Sequence, residues 1–250
     1  IQPQLCCVVI NGRQAPREPE LAAYVCAAVP HTAGVLVNSN TKRGNVILGE
    51  KYRTLWGRDY LMDTLCGLEF KLSVPSFYQV NRDQAEALYG KALDYAGLTG
   101  RETVLDLYCG IGTITLCLAK RAGRVIGAEI VPQAIEDARE NARRNGIENV
   151  EFFVGKAEEV LPEQYERNQV HADVIVVDPP RKGCDPVCLE TILKMAPERV
   201  VYVSCDSATL ARDVKFLEEN GYRAMRVRPV DMFPMGGHCE CVVKLERVGK

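Results

Sequence analysis

Long apolar runs are missing from this 250-residue chain. A helix that crosses a bilayer needs about 20 consecutive apolar residues, and the most hydrophobic stretches here, such as 172–177, are only strand length, so no membrane span is expected. A surplus of charge is missing too. With 31 Lys and Arg against 33 Asp and Glu the formal net charge is −2, so no global basic field advertises a nucleic-acid partner, although a basic face confined to one surface is compatible with that balance. The eleven cysteines include no C-x-x-C pair, and their odd number and irregular spacing argue against a disulfide framework and a structural zinc site. No metal is expected, and a reducing cytoplasm is the expected compartment. Most of the cysteines, Cys117 within the apolar run 114–119 among them, read as small buried hydrophobes, with at most one or two chemically active. The opening Ile-Gln-Pro-Gln-Leu-Cys-Cys lacks an initiating Met, a basic segment and a small-residue cleavage site, which reads as a truncated or processed chain without a signal peptide. Repeats and low-complexity segments are also lacking. What is present, 47% hydrophobic and 26% charged residues, is the composition of a soluble globular protein of one large or two modest domains.

The chain has two grains. Residues 1–80 read as a small α+β region: short β-like runs CCVVI, GVLVN, NVILGE and LEFKLSV around one helix at 18–29. Residues 81–250 alternate helices (82–96, 112–122, 132–145, 186–195, 207–220) with Val- and Ile-rich strands (TVLDLY, RVIGAEI, VEFFVG, ADVIVVD, RVVYVSC). Such alternation predicts an α/β fold, a parallel sheet with helices on both faces. The tail changes again, since YRAMRVRPVDMF and HCECVVKLER are separated by Pro-Met-Gly-Gly with no helix between them, which predicts a closing antiparallel hairpin.

In an open α/β sheet ligands sit beyond the carboxyl ends of the strands, so chemistry is sought where each strand ends. The first turn, Asp106-Leu-Tyr-Cys-Gly110-Ile-Gly112-Thr113, lets backbone pass close to a ligand at a helix N-terminus. It is not G-x-G-x-x-G, so an adenosine ligand without a pyrophosphate fits better than a dinucleotide. Glu129 ends the next strand, 23 residues after Asp106, and is placed to accept from both ribose hydroxyls. Asp106 reads either as a ligand group or as the holder of the turn. Asp178 is followed by Pro179-Pro180-Arg181, a stiff polar exit. Cys205 ends the fifth strand just before a helix, a setting that favours thiolate, with Asp206 pushing the other way. Glu240 opens the last strand and can act as a general base if the hairpin packs beside strand five.

An adenosine site, a thiol nucleophile and a carboxylate base suit methyl transfer from S-adenosylmethionine to an unreactive ring carbon such as uracil C5, where addition of a thiolate at C6 supplies the missing nucleophilicity. The motifs SFYQVN (76–81), DLYCGIGT (106–113), GAEI (127–130), VDPPRKG (177–183), YVSCD (202–206) and VDMFP…HCECV (230–242) resemble those of the S-adenosylmethionine-dependent RNA uracil-C5 methyltransferases, most nearly the branch acting on bacterial 23S rRNA. The resemblance runs from about residue 30 to the end. It implies a Rossmann-like class I methyltransferase sheet, Cys205 as nucleophile, Glu240 as base, and Gln79, Tyr108, Glu129 and Asp178 beside the cofactor, to which the residues themselves add Gly110. It implies an RNA substrate, ribosomal before transfer RNA, and no obligate protein partner. Two departures stand out: Asp206 replaces the Asn usual after the nucleophile, and Cys239 replaces a bulkier neighbour of the base. The RNA-binding barrel and cysteine-held iron–sulfur cluster of many full-length relatives are not recognisable here. Two rival readings remain at this point, an exocyclic-amine methyltransferase and a non-catalytic RNA-binding module of the same fold.

Overall fold

Strands buried on both faces need helices above and below them, whereas a strand with one polar face can lie at an edge. Both situations occur in the computed structural model, which describes residues 3–44 and 47–249. Its chain divides into two compact units, residues 1–63 with 70–76, and residues 64–69 with 77–250.

Among the described residues, the first unit is built on a three-stranded sheet of β1 (Gln4–Ile10), β2 (Thr32–Ser39) and β3 (Lys51–Gly57). The helix α1 (Glu18–Ala28) links the parallel pair β1 and β2, and β3 runs antiparallel to β2. The central strand supplies the core, with Val35, Leu36 and Val37 buried. Glu18 at the start of α1 accepts the Ala15 amide and pairs with Arg53 of β3, so one carboxylate joins helix to sheet. The strand expected at 45–50 is corrected in part. Residues 45 and 46 lie outside the described residues, and 47–50 are irregular because buried Asn38 takes both backbone groups of Gly49, Nδ2 donating to its carbonyl at 2.8 Å and Oδ1 accepting from its amide at 2.7 Å. The strand starts only at Lys51, and β4 (Tyr60–Leu65) then pairs with β5 (Leu68–Ser73).

The second unit holds a seven-stranded sheet made of β6 (Thr103–Leu107), β7 (Arg124–Glu129), β8 (Val150–Val154), β9 (Val174–Val177), β10 (Arg199–Ser204), β11 (Tyr222–Val230) and β12 (Glu240–Arg247), in the order β11-β12-β10-β9-β6-β7-β8. The strands from β8 to β10 are parallel, and β12 enters antiparallel between β10 and β11. The strand order reverses at β6 and β9, which opens a crevice at their carboxyl ends. The helices are α2 (Arg82–Ala96), α3 (Thr113–Ala119), α4 (Pro132–Arg144), α5 (Ala157–Pro162), α6 (Pro186–Met195) and α7 (Ser207–Glu219). The sequence reading has no helix between β8 and β9. There α5 continues past Pro162 as a π-helical turn at Glu163–Arg167, and its charged, proline-interrupted sequence shows no clean apolar period. Helix α3 is shorter than expected, starting after Gly112. No described helix is long and apolar enough to cross a membrane.

Candidate active site at the strand ends

Register brings the candidate residues to one edge. Leu107 of β6 pairs with Ala128 of β7 and Val177 of β9, so the next residues, Tyr108, Glu129 and Asp178, come abreast at the carboxyl ends, and the Asp178 amide donates to the Leu107 carbonyl at 3.3 Å. The turn that follows is sharply bent: Tyr108 has φ +68°, Gly110 +55° and Gly112 +84°. A left-handed tyrosine is a strained conformation that its surroundings must hold, and Tyr108 is packed against the core beneath α6. The two glycines do different work. A Cβ at Gly112 would meet Ala138 of α4 and Phe152 of β8 at 3.3 Å, so this glycine permits close packing against those elements, whereas a Cβ at Gly110 would meet nothing within 4 Å.

Glu129 faces that open side. Its Oε2 accepts the Gly110 amide at 3.3 Å and its Oε1 accepts the Val131 amide at 2.9 Å. Each carboxylate oxygen retains acceptor capacity for a hydroxyl, beside the open backbone at Gly110. Asp106 proves to be a buried holder of the turn. Its Oδ2 accepts the Thr115 hydroxyl at 2.5 Å in α3, and its Oδ1 has no hydrogen-bond partner among the described residues. Burial, with a smaller push from Glu129, raises its carboxyl to about 7.

The antiparallel pairing of β12 with β10 assembles the second group. Ser204 pairs with Cys241, and one further step along both strands sets Cys205 opposite Glu240. Cys205 therefore lies one residue past the strand rather than ending it, where the chain turns into α7. Burial raises the Cys205 thiol, Glu240 and Asp178 raise it further, and Arg181 opposes them. Glu240 is itself raised by burial and lowered by Arg181. Asp178 is half-buried, and its partial removal from water, together with Glu240 and Asp106, pushes its carboxyl up to about 7. The four groups thus share one electrostatic neighbourhood. The Arg181 carbonyl accepts the Thr209 hydroxyl at 2.9 Å, tying the stiff 178–181 segment to α7.

Asp206 does not act as the sequence reading expects. Its carboxylate caps α7, accepting the Ala208 and Thr209 amides at 3.0 Å, and these bonds hold its pKa down. The charges that raise Cys205 come from Glu240 and Asp178. An Asn at this position offers the same acceptor oxygen, so the departure preserves the cap.

Gln79 is buried in the segment that leads into α2. Asn81, two residues on, caps that helix through the Gln84 amide and donates from Nδ2 to the Met232 carbonyl at 2.8 Å, which ties this segment to the loop before β12. Tyr89 escapes the sequence reading. It is buried on α2, its hydroxyl lies 3.5 Å from the Thr113 hydroxyl, and the charge of Asp178 reaches it. Its signal in the sequence is a polar-tipped ring inside the apolar stripe of Ala85, Leu88, Ala92 and Ala96, which reads simply as core. A separate cavity of about 390 Å³, bordered by Lys182, Pro186, Arg212 and Phe216, contains none of these residues. Among the described residues no three His, Cys, Asp or Glu side chains come together as a metal site.

Comparison with known proteins shows the family and the fold of the chain. Residues 48–248 match the family model described as tRNA (uracil-5-)-methyltransferase. An uncharacterised RNA methyltransferase of Halalkalibacterium halodurans is 54% identical over 96% of this chain and 52% of its own length, and one of Listeria innocua is 58% identical over 84% and 46%. The chain spans about half the length of the curated relatives it matches. Among solved structures, the tRNA (uracil-54, C5)-methyltransferase of Pyrococcus abyssi in complex with S-adenosyl-L-homocysteine superposes with a TM-score of 0.76 at 30% identity, covering 96% of this chain and 56% of that one. A tRNA m1G37 methyltransferase of M. jannaschii reaches 0.61 at 14% identity over 100% and 75% of the two chains, a likeness of fold alone. The sheet is that of the class I methyltransferases. A family model that spans most of the chain places it in the tRNA (uracil-5-)-methyltransferase family, and the chain belongs to that family.

Proposed function

We propose that this chain is the catalytic part of an enzyme that transfers a methyl group from S-adenosylmethionine to C5 of a uridine in RNA. The observation that carries the proposal is the register that sets Cys205 opposite Glu240 at the same sheet edge as Glu129 and the open turn at Gly110. Glu129 binds the ribose hydroxyls of the cofactor, the backbone at Gly110 lies against its adenosine, and Gln79, Tyr108 and Asp178 border it. Bound there, the cofactor supplies an electrophilic methyl group.

The chain's own residues do the rest. The Cys205 thiolate adds to C6 of the uracil, the S–C6 bond forms as the C5–C6 double bond opens, and the enolate that results is nucleophilic at C5. Once C5 carries the methyl group, Glu240 removes the C5 proton, the double bond re-forms and the thiolate leaves. Arg181, the one group that lowers both Cys205 and Glu240, favours the charged form of each. The motif resemblance supports 23S rRNA as the substrate, and transfer RNA, named in the family and in the Pyrococcus abyssi enzyme, is the comparison substrate.

Mixing the protein with S-adenosylmethionine and RNA in which 5-fluorouridine replaces uridine tests the reading, because fluorine at C5 cannot leave as a proton. A denaturation-resistant protein–RNA adduct is expected, absent in Cys205→Ala, whose affinity for S-adenosylhomocysteine stays near normal. Methyl transfer with no adduct would overturn the covalent mechanism, and methyl found on an exocyclic amine would replace the reaction. Running 23S rRNA against transfer RNA under the same conditions decides the substrate.

A further inference from the structure

The edge strand β11 carries three exposed arginines, Arg223, Arg226 and Arg228. In a regular strand residues three apart point to opposite faces. Here the register slips between Ala224 and Arg226, so Arg223 pairs with Glu246, Arg226 with Lys244 and Arg228 with Val242. These partners are alternate residues of β12, and directly paired residues share a face. The bulge therefore sets all three arginines on one side of the sheet, the re-aiming that bulges provide. Glu240 is on that side, two positions from Val242. So are Val203, which pairs with Val242 across β10, and by alternation Cys205. The row of guanidiniums runs along the catalytic face and ends at Arg228, about 6.7 Å of strand short of the level of Glu240.

Two further features set this row apart. Among the described residues none of the three arginines is ion-paired, whereas Lys244 on the same face is held by Glu246 at 2.6 Å. In a chain of net charge −2 this is a local surplus of uncommitted positive charge. Pro229 beside them removes an edge N–H donor, which discourages addition of another strand. Guanidiniums are suited to phosphate, which they can bind in bidentate fashion.

We propose that Arg223, Arg226 and Arg228 form a track for the phosphate backbone of single-stranded RNA flanking the target nucleotide. The proposal rests on the reading of the chain as an RNA uridine methyltransferase. Chemistry at C5 and C6 needs the base out of its stack, so the strand beside it is extended, and the two-residue step from Arg226 to Arg228 is comparable with one nucleotide of such a strand. Phosphate contacts position the substrate without reading its sequence. The arginines therefore act on KM and on salt dependence, and leave kcat unchanged.

The test measures binding of a fluorescein-labelled 16-nucleotide single-stranded RNA by anisotropy between 25 and 200 mM KCl, for the wild type and for R223Q/R226Q/R228Q. Each single-strand phosphate contact contributes about 0.7 to the slope of log K against log salt. The triple variant should lose about 2 in slope, the single variant R226Q about 0.7, and the charge-preserving R223K/R226K/R228K should retain most of it. Wild-type slope in the triple Gln variant, or no RNA binding by the wild type at 25 mM KCl, overturns the track. Unchanged slope with new self-association would instead assign the arginines to guarding the sheet edge. Methyl transfer by the wild type, assayed in parallel at saturating RNA, separates the two ideas. Transfer with an unchanged slope defeats only the track, and a lowered slope without transfer defeats only the reaction.

Discussion

At the scale of the residue, Cys205 is held by opposing charges. Burial, Glu240 and Asp178 keep its proton on, in that order, and Arg181 draws it off. Only the thiolate is alkylated, so the midpoint of Cys205 alkylation by iodoacetamide, followed on its own peptide by mass spectrometry against pH, should move down in Glu240→Gln, move down less in Asp178→Asn, and move up in Arg181→Gln. A midpoint indifferent to Glu240 would place the two groups in separate environments. Glu129 gives a second prediction at this scale. Its carboxylate is expected to accept hydroxyls, and hydrogen bonds to a charged group contribute about 1.5–3 kcal/mol. Glu129→Ala should therefore weaken S-adenosylhomocysteine binding on the order of 10- to 100-fold by calorimetry, and loss of the Gly110 and Val131 amide contacts adds to that cost.

At the scale of the element, close approach decides what can stand where. A Cβ at Gly127 in β7 would lie 2.8 Å from Phe152 and 3.0 Å from the Cys109 sulfur, both in the packed layer under the turn at 108–112. Overpacking of this kind costs about 1–3 kcal/mol, and Gly127→Ala should lower the urea midpoint accordingly while leaving the denaturant slope unchanged. Helix α7 supplies a contrast. The Asp206 cap accepts two amides, so Asp206→Ala should lower the thermal midpoint, whereas Asp206→Asn keeps the acceptor and should leave it nearly unmoved. If the Asn variant fell as far as the Ala variant, the carboxylate charge rather than the cap would be the stabilising feature.

At the scale of the whole molecule, acids with shifted pKa values shape the response to pH. Asp106 and Asp178 are raised to about 7 from an ordinary 3.8, so between those values the folded chain binds more protons than the unfolded one. Their stabilisation is complete below about pH 4 and is lost as pH rises through 7. Glu18 and Glu102 run the other way, lowered to about 2, with stability present above about 4.5 and lost as pH falls toward 2. Stability should therefore be greater at pH 5 than at pH 8. Asp106→Asn cannot ionise, so its cost relative to the wild type should be on the order of 2–4 kcal/mol larger at pH 5 than at pH 8 in urea unfolding followed by circular dichroism. Equal costs at the two pH values would mean that Asp106 is ionised throughout.

Periodicity along the chain determined the alternation of helices with Val- and Ile-rich strands, the antiparallel tail and the positions of the turns, because patterns of 2 and 3.6 residues are local properties that each segment carries by itself. Glu129 and Asp178 read as candidates for the same reason, being polar residues at the ends of apolar runs, whereas Glu240 owes its expected role to the motif resemblance. What the fold decided is non-local. Pairing of β12 between β10 and β11 puts Glu240 opposite Cys205, though 35 residues of chain separate them. Asn38 takes Gly49 out of the expected strand through contacts that hydropathy does not register. The single slip between Ala224 and Arg226 brings Arg223 onto the face that Arg226 and Arg228 share, since the phase of a strand depends on what it pairs with as well as on its own sequence.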